Sequence, residues 1–77
     1  MLAALQPAAR VRPRSRPRLT QRQEEVLRLI AVGMTNDEIS RELWTAPVTV
    51  SAHVRNILDR LGARNRAHAV ALWLGER

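Results

Sequence analysis

Apolar residues recur every three or four positions from Val26 onward and fall into four runs, each set off from the next by turn residues. Val26, Leu27, Leu29 and Ile30 form the first stripe. Thr20 and Gln23 ahead of it have the spacing of a capping box, and Gly33 stops the run as a C-terminal glycine does, which predicts a helix over about 21–32. Thr35 or Asn36 caps a second, short helix whose first turn holds Asp37 and Glu38, where the helix dipole favours negative charge. Ile39 and Leu43 lie four apart on one of its faces. After a tight connection at Trp44, Thr45 and Ala46, Pro47 opens a third helix at the position where a missing amide is tolerated. That helix continues to about Leu61 and ends at Gly62, and a fourth runs from about Asn65 to Leu74. With no period-two alternation and no internal repeat, the expected fold class is all-α, four helices joined by short turns.

Seventy-seven residues hold one small module, which excludes an enzyme with a separate substrate domain. The core has to be aliphatic, because Trp44 and Trp73 are the only aromatic residues. Cysteine is absent, so disulfides, thiolate catalysis and zinc fingers are excluded. No apolar stretch reaches the ~20 residues of a membrane span, and Met1–Leu5 is too short for a signal-peptide core.

Charge divides the chain in two. All 13 basic residues are arginines, set against seven acids for a net charge of +6. Arg10, Arg12, Arg14, Arg16 and Arg18 lie in the first eighteen residues, where there is no acid, and Pro7, Pro13 and Pro17 interrupt that segment. Residues 19–77 carry eight arginines and seven acids. The expected organisation is therefore a disordered basic arm over 1–18 and a folded domain over 19–77, with a polyanion as the partner. An organelle transit peptide shares this composition, but the arm is short and broken by proline, so the expected location is the cytoplasm.

At about 100° per residue, Val50, Val54, Ile57, Leu58 and Leu61 share one side of the third helix, and Val48, Ser51, Ala52, Arg55 and Asp59 share the other. A solvated face is ordinarily built of long charged residues, whereas this one is small and lets the backbone approach a partner closely. The major groove of DNA, about 12 Å wide, accepts such a helix. There Arg55 can pair with guanine O6 and N7, Ser51 can hydrogen-bond, and Val48 or Ala52 can touch a thymine methyl. Periodicity alone leaves a second reading open, that these are simply adequate surface residues.

The run LTQRQEEVLRLIAVGMTNDEISRELWTAPVTVSAHVRNILDRLGARNRAHAV, residues 19–70, resembles the C-terminal helix-turn-helix domain of LuxR-type (GerE-like) transcription regulators. The resemblance is carried by Leu19-Thr20-x-Arg22, Gly33-x-Thr35-Asn36-x-Glu38-Ile39, Thr49-Val50-x-x-His53-Val54, Leu61-Gly62 and Arg66-x-x-Ala69-Val70. It implies that the second and third helices form the helix-turn-helix, with the third in the major groove of double-stranded DNA. Base reading falls on the positions of Val48, Ser51, Ala52 and Arg55, and phosphate contact or support on Arg22, Thr35, Asn36, Thr49, His53 and Arg66. Backbone amides at the start of the second helix are expected to add anion contacts. The chain departs from the family where a serine cap is usual (Ala46), where glutamate is common (Pro47) and where a lysine typically touches DNA (Ser51). With that lysine lost and a body of only +1, the arginine arm is expected to compensate on phosphates or in the minor groove.

The fourth helix is apolar on nearly every side. One side packs on the body, and the remainder around Ala67, Ala71 and Leu74 needs a partner. In similar proteins this helix pairs with its twin, so Ala67, Val70, Ala71 and Leu74 are the expected homodimer interface, at least on DNA. Neither His53 nor His68 has a companion for a metal site, and no nucleophile, acid/base pair or phosphate-cradling loop is present, so no catalysis, metal or cofactor is expected. Glu24, Glu25, Glu38 and Glu42 are spaced for salt bridges with Arg28 and Arg41. The resulting expectation is a bacterial, nucleoid-associated transcription regulator consisting of the output domain alone, with RNA polymerase as a further partner. The alternative is an interaction protein that pairs through helix four with another such regulator or a polymerase subunit. The promoter-binding region of a sigma factor shares the helix-turn-helix but not the Leu61-to-Val70 tail.

Overall fold

The computed structural model describes residues 18–75, so the expected arm lies outside the described residues except for Arg18. Four helices follow in order: α1 (Gln21–Ala31), α2 (Asn36–Glu42), α3 (Pro47–Leu61) and α4 (Arg66–Gly75). There is no strand among the described residues.

Two helices begin with full capping boxes. The Thr20 hydroxyl accepts from Gln23 N at 3.0 Å while the Gln23 side chain accepts from Thr20 N at 2.9 Å. Thr35 and Glu38 repeat the exchange at 3.2 and 2.8 Å, which makes Thr35 the cap of α2 and Asn36 its first residue. At α4 a related exchange is built from other residues: Asn65 Oδ1 accepts from His68 N at 2.8 Å, and His68 Nδ1 accepts from the N–H of Arg64, one residue ahead of the cap, at 3.0 Å. His68 is therefore part of a helix cap. Only α3 starts without a side-chain cap, at Ala46, followed by Pro47 in the first helical turn.

The first three helices end alike, each with a backbone N–H bonded five residues back: Met34 to Leu29, Thr45 to Ser40 and Ala63 to Leu58. This closure requires a left-handed residue between helix and loop. Gly33 (φ 96°) and Gly62 (φ 67°) meet that need without strain, whereas at the end of α2 the position is filled by Trp44 at φ 57°. A side chain in this region destabilises the backbone by about 1–2 kcal/mol, and Trp44, 94% exposed, regains nothing by burial.

The core is Val26, Leu27, Ile30, Ile39, Val50, Ile57 and Ala69, with Leu29, Met34, Leu43, Val54, Leu58, Leu61, Val70 and Trp73 packed around it. It joins all four helices: α3 packs against α1, α2 and α4, and α1 against the other three. α2 and α4 do not pack on each other. The buried Ser40 satisfies its hydroxyl on the Asp37 carbonyl at 2.7 Å. The expected ion pairs of Arg28 and Arg41 are absent among the described residues; the pair that forms is Arg22–Glu25 at 3.1 Å. Exposed pairs of this kind are worth under about 1 kcal/mol, too little to fix which of several spacings is used.

Candidate nucleic-acid interface

α3 is anchored by one side only. Val50 and Ile57 are fully buried and Val54, Leu58 and Leu61 half-buried, so burial fixes the rotation of the helix about its axis. That rotation turns Val48, Ser51, Ala52, Arg55 and Asp59 outward, all exposed, with Val48 at 75%. Thr49 and Asn56 flank them and are also exposed, whereas His53 is half-buried. Arg55 makes no hydrogen bond or ion pair among the described residues, which leaves its guanidinium available to an external acceptor. The first turn of α3 contains no acid to repel a polyanion.

Behind this surface lies a polar connection between elements that do not otherwise touch. Arg66, the first residue of α4, donates from Nη1 to Asn36 Oδ1 at 2.7 Å and from Nη2 to the Met34 carbonyl at 3.0 Å. Asn36, the first residue of α2, donates from Nδ2 to Ser51 Oγ at 3.3 Å. The structure thus brings Asn36, Arg66 and Ser51 together, while Thr35 is engaged in its cap and Arg22 bonds within α1 to Glu25. Anion contacts from the amides that start α2 meet an obstacle: the N–H groups of Thr35 and Glu38 are already occupied by the capping box, and Asp37 and Glu38 sit beside them.

On α4, Ala67, Ala71 and Leu74 are exposed and spaced four and three apart, which aligns them on one side of the helix. Val70 is half-buried and packs on the core. Among the described residues no three His, Asp or Glu side chains cluster as a metal site, and no helix is long and apolar enough to cross a membrane.

A helix held by one side, with a second short helix bracing its start and on the free side an arginine unpaired among the described residues, is the geometry of a helix-turn-helix. Comparison with known proteins agrees: residues 17–73 match the GerE domain of bacterial regulatory proteins of the luxR family. The chain belongs to the luxR family. Similar proteins include the HTH-type transcriptional regulator MalT of Yersinia pestis (strain Pestoides F) and of Yersinia pseudotuberculosis serotype O:1b (strain IP 31758), each 46% identical over 52 residues. The same regulator of Serratia proteamaculans (strain 568) matches to the same extent. Each match takes in 68% of this chain and 6% of the relative, so the likeness is to one module of a much longer protein. A luxR-family helix-turn-helix is a DNA-binding module of transcription regulators and not an enzyme class.

Two features of this luxR-family domain escaped the residue pattern. Asn56 extends the exposed surface beside Arg55, and the only signal for it was its place four residues after Ala52. The Asn36–Ser51 and Asn36–Arg66 bonds join residues 15 and 30 apart, a separation at which helical periodicity carries no information.

Proposed function

We propose that this luxR-family domain reads double-stranded DNA by laying the outward side of α3 in the major groove, with Val48, Ser51, Ala52 and Arg55 facing base edges. The observation that carries the reading is the exposed, small-residue side of α3, with Arg55, unpaired among the described residues, at its centre. Asn36 and Arg66 serve as supports, since their polar groups are engaged inside the domain. Thr49, His53 and Arg22 border the phosphates. The stripe of Ala67, Ala71 and Leu74 pairs two copies on the two halves of a site, with half-sites about one helical turn, ~34 Å, apart or closer. A transcription regulator of this kind works in the cytoplasm at the nucleoid, with RNA polymerase nearby.

The test is a gel shift against a library of duplex fragments, repeated across salt concentrations. Specific fragments retained at low salt, with log affinity falling linearly against log salt, are the expected result. Since each phosphate contact adds about 0.9 to that slope, deleting residues 1–18 should flatten it by about 0.9 for each contact the arginine arm makes. Absence of any specifically retained fragment would overturn the reading.

A further inference from the structure

The two hydrogen bonds that link α4 through Asn36 to the outward side of α3 run in one direction, and chemistry fixes that direction. Guanidinium nitrogens carry hydrogens and no acceptor lone pair, so Arg66 Nη1 donates, and the Asn36 atom 2.7 Å away is the carbonyl oxygen Oδ1. The other half of the amide follows: Nδ2 faces Ser51 Oγ at 3.3 Å and donates to it. Arg66 cannot swing away easily, because Nη2 is also tied to the Met34 carbonyl at 3.0 Å. The backbones of α2 and α4 do not approach each other, and this guanidinium bridges them.

A serine hydroxyl has one hydrogen and two lone pairs. With Asn36 occupying a lone pair, the Ser51 hydrogen is left to point elsewhere. A serine within a helix often turns that hydrogen back onto a carbonyl of the preceding turn, as Ser40 does on Asp37 at 2.7 Å. Ser51 does not: among the described residues its hydroxyl donates to nothing, and the residue is exposed beside Ala52 and Arg55. The sequence Arg66 to Asn36 to Ser51 is thus a line of donors that begins at a fixed positive charge, and each group polarises the next.

We infer that Arg66 and Asn36 are positioning residues that present Ser51 to DNA as a hydrogen-bond donor. At the base it meets, this chain favours an acceptor edge (guanine N7 or O6, adenine N7, thymine O4) over cytosine, whose groove edge offers only an amino donor. The inference rests on the DNA-reading function proposed above and adds to it a base preference at one position. It is peculiar to a serine at position 51, since a lysine there is a donor however its neighbours are arranged.

Asn36→Asp tests the direction. The carboxylate is nearly the same shape, keeps the Arg66 bond and offers Ser51 an acceptor in place of a donor. The hydroxyl hydrogen then turns inward and lone pairs face the DNA. Wild type, Asn36→Asp, Ser51→Ala and the double variant are each used to select bound sequences from a randomised duplex library, after circular dichroism melts establish folding. Wild type is expected to disfavour cytosine at one position. Asn36→Asp is expected to shift preference there toward cytosine by roughly five-fold, the scale of one net hydrogen bond. Ser51→Ala should flatten that position, and the double variant should match Ser51→Ala in its preferences. The added negative charge weakens binding to all sequences alike and is read separately from preference. Asn36→Ala, which only frees the hydroxyl, should relax the same position without reversing it, and it carries the test if the aspartate unfolds the chain. Unaltered preferences in Asn36→Asp and Asn36→Ala, or a shift that persists without Ser51, would overturn the inference while DNA reading stood. Enrichment of no sequence by wild type would overturn both.

Discussion

The inward and outward sides of α3 are drawn from the same fifteen residues under opposite demands. On the inward side Val50 and Ile57 lose all contact with water, and Val54, Leu58 and Leu61 beside them are branched aliphatic residues. On the outward side Val48 remains 75% exposed and Arg55 has no partner within the described residues. Apolar area left in water contributes nothing to folding, so Val48 does no work where it stands. The two sides can therefore be altered independently: changes inside register as stability, changes outside as binding. A domain in which one helix both closes the core and carries the readout keeps its reading surface rigid, because the packing that holds the fold also sets the rotation of the helix.

The harshest challenge to that division is Ile57→Ala. Ile57 is fully buried where α3 meets the core, and truncation of such a residue destabilises by about 2–5 kcal/mol through lost transfer and the cavity left behind. Native stabilities of roughly 0.05–0.15 kcal/mol per residue leave a domain this small unable to absorb such a loss, so unfolding at ordinary temperature is expected in thermal and chemical denaturation. A change under about 1 kcal/mol would mean that the inward side is not what anchors α3. Arg55→Ala is the matching change outside. It is expected to leave the melting curve in place and to weaken DNA binding by about 1–3 kcal/mol, with preference relaxed at one base pair. A loss equal across all sequences would instead assign Arg55 to a phosphate.

These two sides were readable in the sequence because each is local: spacing of three and four residues is a property of one helix, and it named Val50, Val54, Ile57, Leu58 and Leu61 for the core and Val48, Ser51, Ala52 and Arg55 for the exposed side. Gly33 and Gly62 likewise marked helix ends because a left-handed residue is most often glycine. Trp44 takes the same conformation with nothing in its chemistry to announce it; what imposes it is the bond from Thr45 back to Ser40. The start of α4 was half visible, since Asn65 precedes His68 by the capping interval, but an imidazole stands where glutamate or glutamine is the usual sign. Arg66, Asn36 and Ser51 were each marked by resemblance for a part in binding or support, yet their mutual bonds depend on how α2, α3 and α4 are stacked, which no local pattern encodes.

The start of α3 belongs by position to neither side, and a small change there decides between them. α1 and α2 open with a threonine that accepts from the third helical amide; α3 opens with Ala46, which has no side-chain acceptor, although its carbonyl receives the N–H groups of Thr49 and Val50. Pro47 has no N–H, so the amide of Val48 is the first one free to meet an outside acceptor. Ala46→Ser supplies a hydroxyl at the cap and is expected to raise stability by about 1 kcal/mol, measured as a higher denaturation midpoint. If α3 touches DNA only through its outward side, affinity is unchanged by the substitution, and the cap counts as part of the fold. If affinity falls while stability rises, the free amide was itself in contact with a phosphate, and the binding surface then extends from Arg55 past Val48 and around the end of the helix.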